Sequence, residues 1–162
     1  MAVELFRIDD RLVHGQVVVG WGQPLDIGFI VLVDDEVAAS EWEQELYRMG
    51  VPPEMTVTFE SVDSAARKLA RYEADPRRGI VLTADIDTMR RLVDASHIAA
   101  VNLGGIHHRS GRVQRLRYVF LTPDEEAALR ALAARGVAVT AQDVPVARPV
   151  PLEEVLASHG ER

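Results

Sequence analysis

Cysteine is absent from the 162-residue chain, lysine occurs once, at Lys68, and aromatic residues make up only 6% of it. The first absence excludes disulfides, thiolate metal sites and a cysteine nucleophile. Basic residues are also in the minority: 18 Lys and Arg stand against 25 Asp and Glu, a formal net charge of −7. Duplex nucleic acid and anionic membrane surfaces both select a basic face, so neither is expected as the main partner. Seventeen of the 18 basic residues are arginine, which reads as lineage bias and not as seventeen anion sites. Long apolar runs are missing too. The longest without a charge, "IGFIVLV" at 27–33, falls far short of the roughly 20 residues a membrane helix needs. The start, "MAVELFRIDD", has neither the basic flank nor the apolar core of a signal peptide. A cytoplasmic protein is expected. With no GxGxxG, a dinucleotide-binding reading has no support.

What remains is ordinary globular composition, 48% hydrophobic and 27% charged, at a length that suits one domain, 1–162. Strand signals fall at 3–8, 27–33, 55–59, 79–83, 98–103, 116–121 and 137–141. Helical signals lie between them, at about 16–22, 37–49, 64–73, 86–94 and 123–135. The alternation predicts an α/β fold: a single-domain open, mostly parallel twisted sheet of about six to seven strands, flanked by helices on both faces. The last helix is the best punctuated. In "TPDEEAALRALAARG", Thr122 caps, Pro123 takes the first helical position, Glu125 completes a capping box and Gly136 ends the helix. "GGIHHRSGRVQ" holds too many turn residues for a helix, so a direct connection and a local antiparallel pair are expected there. The tail, 146–162, is proline-rich and then helical, a segment able to dock on the body.

The stretch "RIDDRLVHGQVVVGW", 7–21, is least like scaffold. In open parallel sheets, ligands bind beyond the carboxyl ends of the strands, where Asp9, Asp10, Arg11 and His14 fall. If Gly15 and Gln16 open the next helix, His14 stands beside unpaired backbone N–H groups and the positive end of a helix dipole. Gly15 permits close approach, and Arg11 supplies a fork matched to phosphate oxygens. That helix is intrinsically poor: Val17, Val18 and Val19 are β-branched, and Gly20 and Gly22 follow. Packing must hold it, with Val17 and Trp21 spaced to share a buried face. A histidine here can hydrogen-bond an anion, or attack a phosphoryl group and carry it. The second role uses the neutral imidazole, the main form of an ordinary histidine near pH 7, with donors placed on the phosphoryl oxygens. Asp9 or Asp10 would orient the ring or hold Arg11. On the residues alone, a surface histidine beside a salt-bridged Asp–Arg pair fits equally well.

The same stretch resembles the amino-terminal signature of the IIB component of the mannose/fructose/sorbose class of bacterial sugar phosphotransferase systems. "VDDEVA" (33–38) resembles that family's segment after strand two, which usually begins Val-Asn-Asp. "VNLGGIHHRSGR" (101–112) resembles its Asn-x-Gly-Gly segment, and "GVAVTAQDVP" (136–145) its closing strand. The resemblance covers essentially the whole chain. It implies a phosphoryl carrier, accepting the group from a IIA phosphohistidine and passing it to a sugar imported through membrane IIC and IID partners. The protein would then sit at the inner face of the membrane through those partners. It also implies that His14 carries the group on Nδ1, that Arg11 stabilises it and that Asp10 is the accompanying acid. Gly15, Gln16, Asp34, Asn102, Gly104 and Gly105 are expected at the phosphate site or its rim. Two departures stand out: Asp34 replaces the usual Asn, and Gly20 precedes Trp21 where a basic or polar residue is common.

No cofactor and no metal is expected. His107 and His108 are adjacent and would point oppositely in an extended segment; with Arg109 and Arg112 they suit a site rim or partner surface. Asp87 reads as a first-turn helix residue, and His97 and His159 as boundary and tail residues. Two other readings stay open: a divergent IIB-like regulatory protein that feeds no sugar transport, and a metal-dependent phosphate-ester hydrolase on the Asp–Asp–His edge. Neither the sugar nor the oligomeric state, a homo-oligomer included, is legible.

Overall fold

In the computed structural model, which describes residues 2–14 and 18–160, a seven-stranded sheet organises the chain. Its strands are β1 (Val3–Ile8), β2 (Ile27–Val33), β3 (Thr56–Glu60), β4 (Arg78–Thr83), β5 (Ala100–Leu103), β8 (Ala138–Ala141) and β9 (Val150–Pro151). They lie in the order β3-β2-β4-β1-β5-β8-β9. All neighbours pair in parallel except the edge strand β9, which runs against β8. The central strands are Val/Ile/Leu-rich because both faces are covered. Phe29, Val31, Val33 and Val81 join one apolar cluster, and Ile30, Leu32, Ile80 and Leu82 join the other, as the two-residue period of a strand demands.

The cover is uneven. One face carries α3 (Val62–Glu73), α4 (Ile86–Asp94), α5 (Pro123–Ala134) and α6 (Leu152–Ala157). The other carries a single π-helical turn, Val18–Gly22, with α1 (Asp35–Ala38) and α2 (Glu41–Met49), of which α2 buries no residue fully. The helix expected at 37–49 is thus two, because Ser40 begins a new one by accepting the Glu43 N–H at 3.3 Å. Thr122 and Glu125 do form the capping box of α5.

The strand expected at 116–121 is corrected to a hairpin outside the main sheet. β6 (Val113–Leu116) and β7 (Val119–Leu121) pair antiparallel around the turn residues Arg117 and Tyr118. Apolar residues on both sides of so short a turn make it invisible to periodicity. The seventh strand comes instead from the tail, where β9 and α6 dock and bury Val150, Leu152 and Val155. Of the helix expected at 16–22, Val18–Gly22 is a π-helical turn, wider than an α-helix, and Gln16 and Val17 lie outside the described residues. Trp21 is buried within that turn at 3% exposure. Trp21→Ala is therefore expected to cost about 3–5 kcal/mol, read as a fall in the urea unfolding midpoint.

Candidate functional site

Crossovers leave β1 toward β2 on one face and leave β5 toward β8 on the other, so the β1–β5 border is a topological switch point. Crevices of this kind hold ligands in α/β sheets. The register brings Arg7 beside Asn102 and Ile8 beside Leu103. Beyond it, the Gly104 N–H donates to the Ile8 carbonyl at 2.7 Å and the Asp10 N–H to the Gly105 carbonyl at 2.9 Å. The loop after β1 and the glycines after β5 are thereby stitched together.

Beneath this seam lies an ion pair. Arg7 and Asp9 are both fully buried. Arg7 Nη2 donates to Asp9 Oδ2 at 3.3 Å, while Nη1 donates to Asn102 Oδ1 and to the Gln142 carbonyl. Its guanidinium lies 4.4 Å from the centre of the Trp21 ring, a cation–π contact, and Trp21 Nε1 donates to the Asp143 carbonyl at 3.0 Å. Asp9 in turn accepts from Arg11 three times: the backbone N–H at 3.1 Å, Nε at 2.9 Å and Nη2 at 2.8 Å. The Gly105 N–H donates to it as well, at 3.3 Å. Burial alone would raise the Asp9 carboxyl; the Arg11 hydrogen bonds and the charges of Arg7 and Arg11 outweigh it and hold the group below the usual carboxylate range. Arg11 is raised, chiefly by its hydrogen bonds to Asp9. Arg11, three residues before His14, is thus a fork fixed by a buried carboxylate, with part of its side chain at the surface.

The chain then turns sharply. The Leu12 N–H donates to the Asp9 carbonyl at 2.9 Å, and Leu12 takes a left-handed conformation, φ 54°, that leucine normally avoids. Burial of Leu12 and Val13 in the core beside Trp21 holds the turn in place. His14 follows, exposed, its carbonyl accepting the Val18 N–H at 2.8 Å. Gly15 and Gln16 lie outside the described residues.

The structure brings Asp10, Arg11, His14, Gly104 and Gly105 to one edge, though the roles differ from those expected. Asp10 accepts both the His107 backbone N–H, at 2.7 Å, and a contact from His107 Nδ1, at 2.5 Å. Arg112 holds the His107 carbonyl at 2.7 Å while its fork grips Glu125. Asn102 is buried and serves Arg7. A Cβ on Gly104 would run into the Arg7 guanidinium and come within 2.7 Å of Asp9 Oδ2, so that glycine makes room for the ion pair. Asp34 caps α1, its Oδ1 accepting the Glu36 and Val37 N–H groups at 3.0 Å. Asn caps a helix equally well, which gives the Asn-to-Asp departure a local reason. Asp85 likewise caps α4, through the Thr88 N–H at 2.7 Å. His108 turns away from His107 onto the edge of Phe120. Sequence reasoning missed Arg7, Gln142 and Asp143. Arg7 was open to detection, since a charge inside a buried strand needs a buried counter-charge.

The family model for the sorbose-subfamily IIB component of the phosphotransferase system matches residues 3–162. The N-acetylgalactosamine-specific phosphotransferase enzyme IIB component 1 of Escherichia coli K12 is 34% identical over 146 residues, covering 87% of this chain and 90% of that protein. The mannose-specific EIIAB component of the same strain is 34% identical over 149 residues, and the chain spans 45% of its length. Among solved structures, the IIBSor domain of the sorbose permease from Klebsiella pneumoniae aligns with a TM-score of 0.85 at 29% identity, covering 97% of this chain and 98% of that one. The manxB structure from Thermoanaerobacter tengcongensis also reaches 0.85, at 30% identity, covering 96% of this chain and 95% of that one.

Asp9→Ala strands the Arg7 charge in the interior and is expected to cost about 3–5 kcal/mol. Because the folded Asp9 carboxyl lies below its unfolded value, its contribution is complete above the unfolded range near about 4 and drains away as pH falls toward the folded value. The parent's urea midpoint should therefore drop on acidification more steeply than that of Asp9→Asn, which has no carboxylate to protonate.

Proposed function

Because the chain belongs to the sorbose subfamily of phosphotransferase-system IIB components, we propose that it carries a phosphoryl group on His14. The donor is a IIA-type phosphohistidine, and the acceptor a sugar presented by membrane IIC and IID partners. One observation carries this reading: an exposed histidine at the switch point, three residues from an arginine that a buried carboxylate holds in a fixed orientation.

In the first step the lone pair of the neutral His14 Nδ1 attacks phosphorus. The bond from phosphorus to the donor imidazole breaks, and its electron pair returns to the donor nitrogen. In the second step a sugar hydroxyl oxygen attacks phosphorus, its proton passes to solvent, and the pair in the His14–phosphorus bond returns to His14. Charge on the three phosphoryl oxygens must be met at the moment of transfer. Arg11 supplies a permanent charge there, and Asp9 keeps it from having to reorganise. Asp10 acts at one remove: it fastens the loop to the His107 segment.

No helix among the described residues is long and apolar enough to cross a membrane, and attachment at the membrane is assigned to the IIC and IID partners. All three residues before His14 have ordered roles in the turn, so removing the imidazole should disturb recognition of phosphate and not the fold. With phosphoenolpyruvate, the general phosphocarrier proteins and a charged IIA, the parent is expected to acquire acid-labile, alkali-stable phosphate. His14→Ala should acquire none while melting at the parental temperature; normal labelling of that variant would remove the carrier role. Arg11→Lys should label about tenfold or more slowly, since an ammonium replaces a fork that Asp9 holds by two nitrogens; unchanged kinetics would make Arg11 structural.

A further inference from the structure

Helix α2 is packed against the sheet by little more than Tyr47, and it leaves three large apolar side chains in solvent. Trp42 is 71% exposed, Leu46 49% and Met49 82%. Their spacing of four and three residues puts them on one helical face as a continuous stripe. Single exposed apolar residues need no explanation, but a tryptophan, a leucine and a methionine in line mark an interaction surface. The stripe ends at the phosphoryl loop. Gly50, the residue after Met49, is so placed that a Cβ on it would lie 3.9 Å from the Val13 carbonyl, one residue before His14.

The two flanks of that loop differ in charge. On the Asp10 side, the segment 107–117 carries His107, His108 and four arginines, of which Arg112, Arg115 and Arg117 are fixed by pairing with Glu125, Glu126 and Asp143. On the Val13 side, α2 carries Glu41, Glu43 and Glu45 against Arg48, which is itself paired with Glu45 at 2.5 Å. An acidic, apolar face selects a partner that is basic and apolar. The cytoplasmic loops of membrane proteins have that character, because lysine and arginine concentrate there.

Resting on the carrier reading of His14, we propose that the Trp42–Leu46–Met49 stripe is the docking surface for basic cytoplasmic loops of the membrane sugar-transport partner. A carrier must bring its histidine against two different proteins in turn. The arrangement separates them: the arginine-rich flank is left to the phosphorylated donor, and the acidic stripe meets the acceptor.

The test uses the whole chain, unphosphorylated, sedimented with proteoliposomes that carry sorbose-subfamily IIC and IID proteins, beside protein-free liposomes of the same lipid. The parent is expected to bind the first and not the second. Trp42→Ser/Met49→Ser, both sites being largely in solvent, should keep the parental circular dichroism and melting temperature and bind at least tenfold more weakly. Its labelling rate by a charged IIA should stay within twofold of the parent's. Unweakened binding, or equal binding to protein-free liposomes, would overturn the proposal. So would retained binding with slowed labelling, which gives the stripe to the donor instead. Sedimentation does not depend on His14 being phosphorylated, so a parent that binds but never labels would remove the carrier reading separately.

Discussion

The buried contact between Arg7 and Asp9 is the constraint on which the rest of the site depends. A charge of either sign inside a sheet is costly unless its partner and its remaining hydrogen-bonding groups are met. Asp9 meets its share fully, accepting from two arginines and a glycine amide. Arg7 does less well, since its Nε finds no hydrogen-bonding partner among the described residues and its cationic face rests on Trp21 instead. Several features of the sequence follow from this one pair. Asn102 and the Gln142 and Asp143 carbonyls are there for Arg7. Gly104 is glycine because the pair occupies the space a side chain would need. The π-helical turn, built from poor helix formers, survives because Trp21 is held by its ring and by its indole N–H at once.

The pair also explains how an exposed loop can be exact. In the proposed transfer Arg11 must stay charged and aimed while a phosphoryl group passes, yet a surface arginine ordinarily samples many rotamers. Here its backbone, Nε and Nη2 all converge on a carboxylate that cannot move. The same turn forces Leu12 into a left-handed conformation, a cost on the order of 1 kcal/mol that burial of its side chain offsets. The strain lies two residues from His14, in the segment whose geometry matters most. Stability and function share one set of contacts at this edge. The core beneath β1 serves as the mould of the site.

Much of this was legible in the sequence, and what was not has identifiable causes. The parallel α/β sheet follows from strand-like runs separated by helical ones, and α4 and the capping box of α5 fall where local chemistry puts them. The carboxyl-edge cluster was visible because strand polarity alone places Asp9 to His14 together. Long-range geometry was not visible. Arg7 announces only a buried charge in an apolar strand; its partners Asn102 and Gln142 lie 95 and 135 residues away in sequence. Asp34 looked like a charge at a phosphate edge, whereas two backbone amides claim its oxygen. The hairpin of β6 and β7 was hidden by a turn of only two residues between apolar neighbours. Short connections and distant polar partners both escape a reading built on local periodicity.

The contrast between the two flanks of the His14 loop follows from how the two flanks are anchored. The segment after β5 is bound into the body by polar contacts: Asp10 to His107, Arg112 to Glu125, Arg115 to Glu126 and Arg117 to Asp143. Its charges are fixed in place, which suits recognition of an anion that must arrive in one orientation. Helix α2, by contrast, buries no residue fully and keeps its largest apolar groups for solvent. Apolar contact is non-directional and short-ranged, so such a surface tolerates small differences in approach and lets go once the partner moves. A carrier has to release both partners in every cycle, so neither surface can be large. A narrow stripe of three side chains beside a rigid charged edge satisfies that limit: each face is distinct enough to be recognised and small enough to let its partner leave.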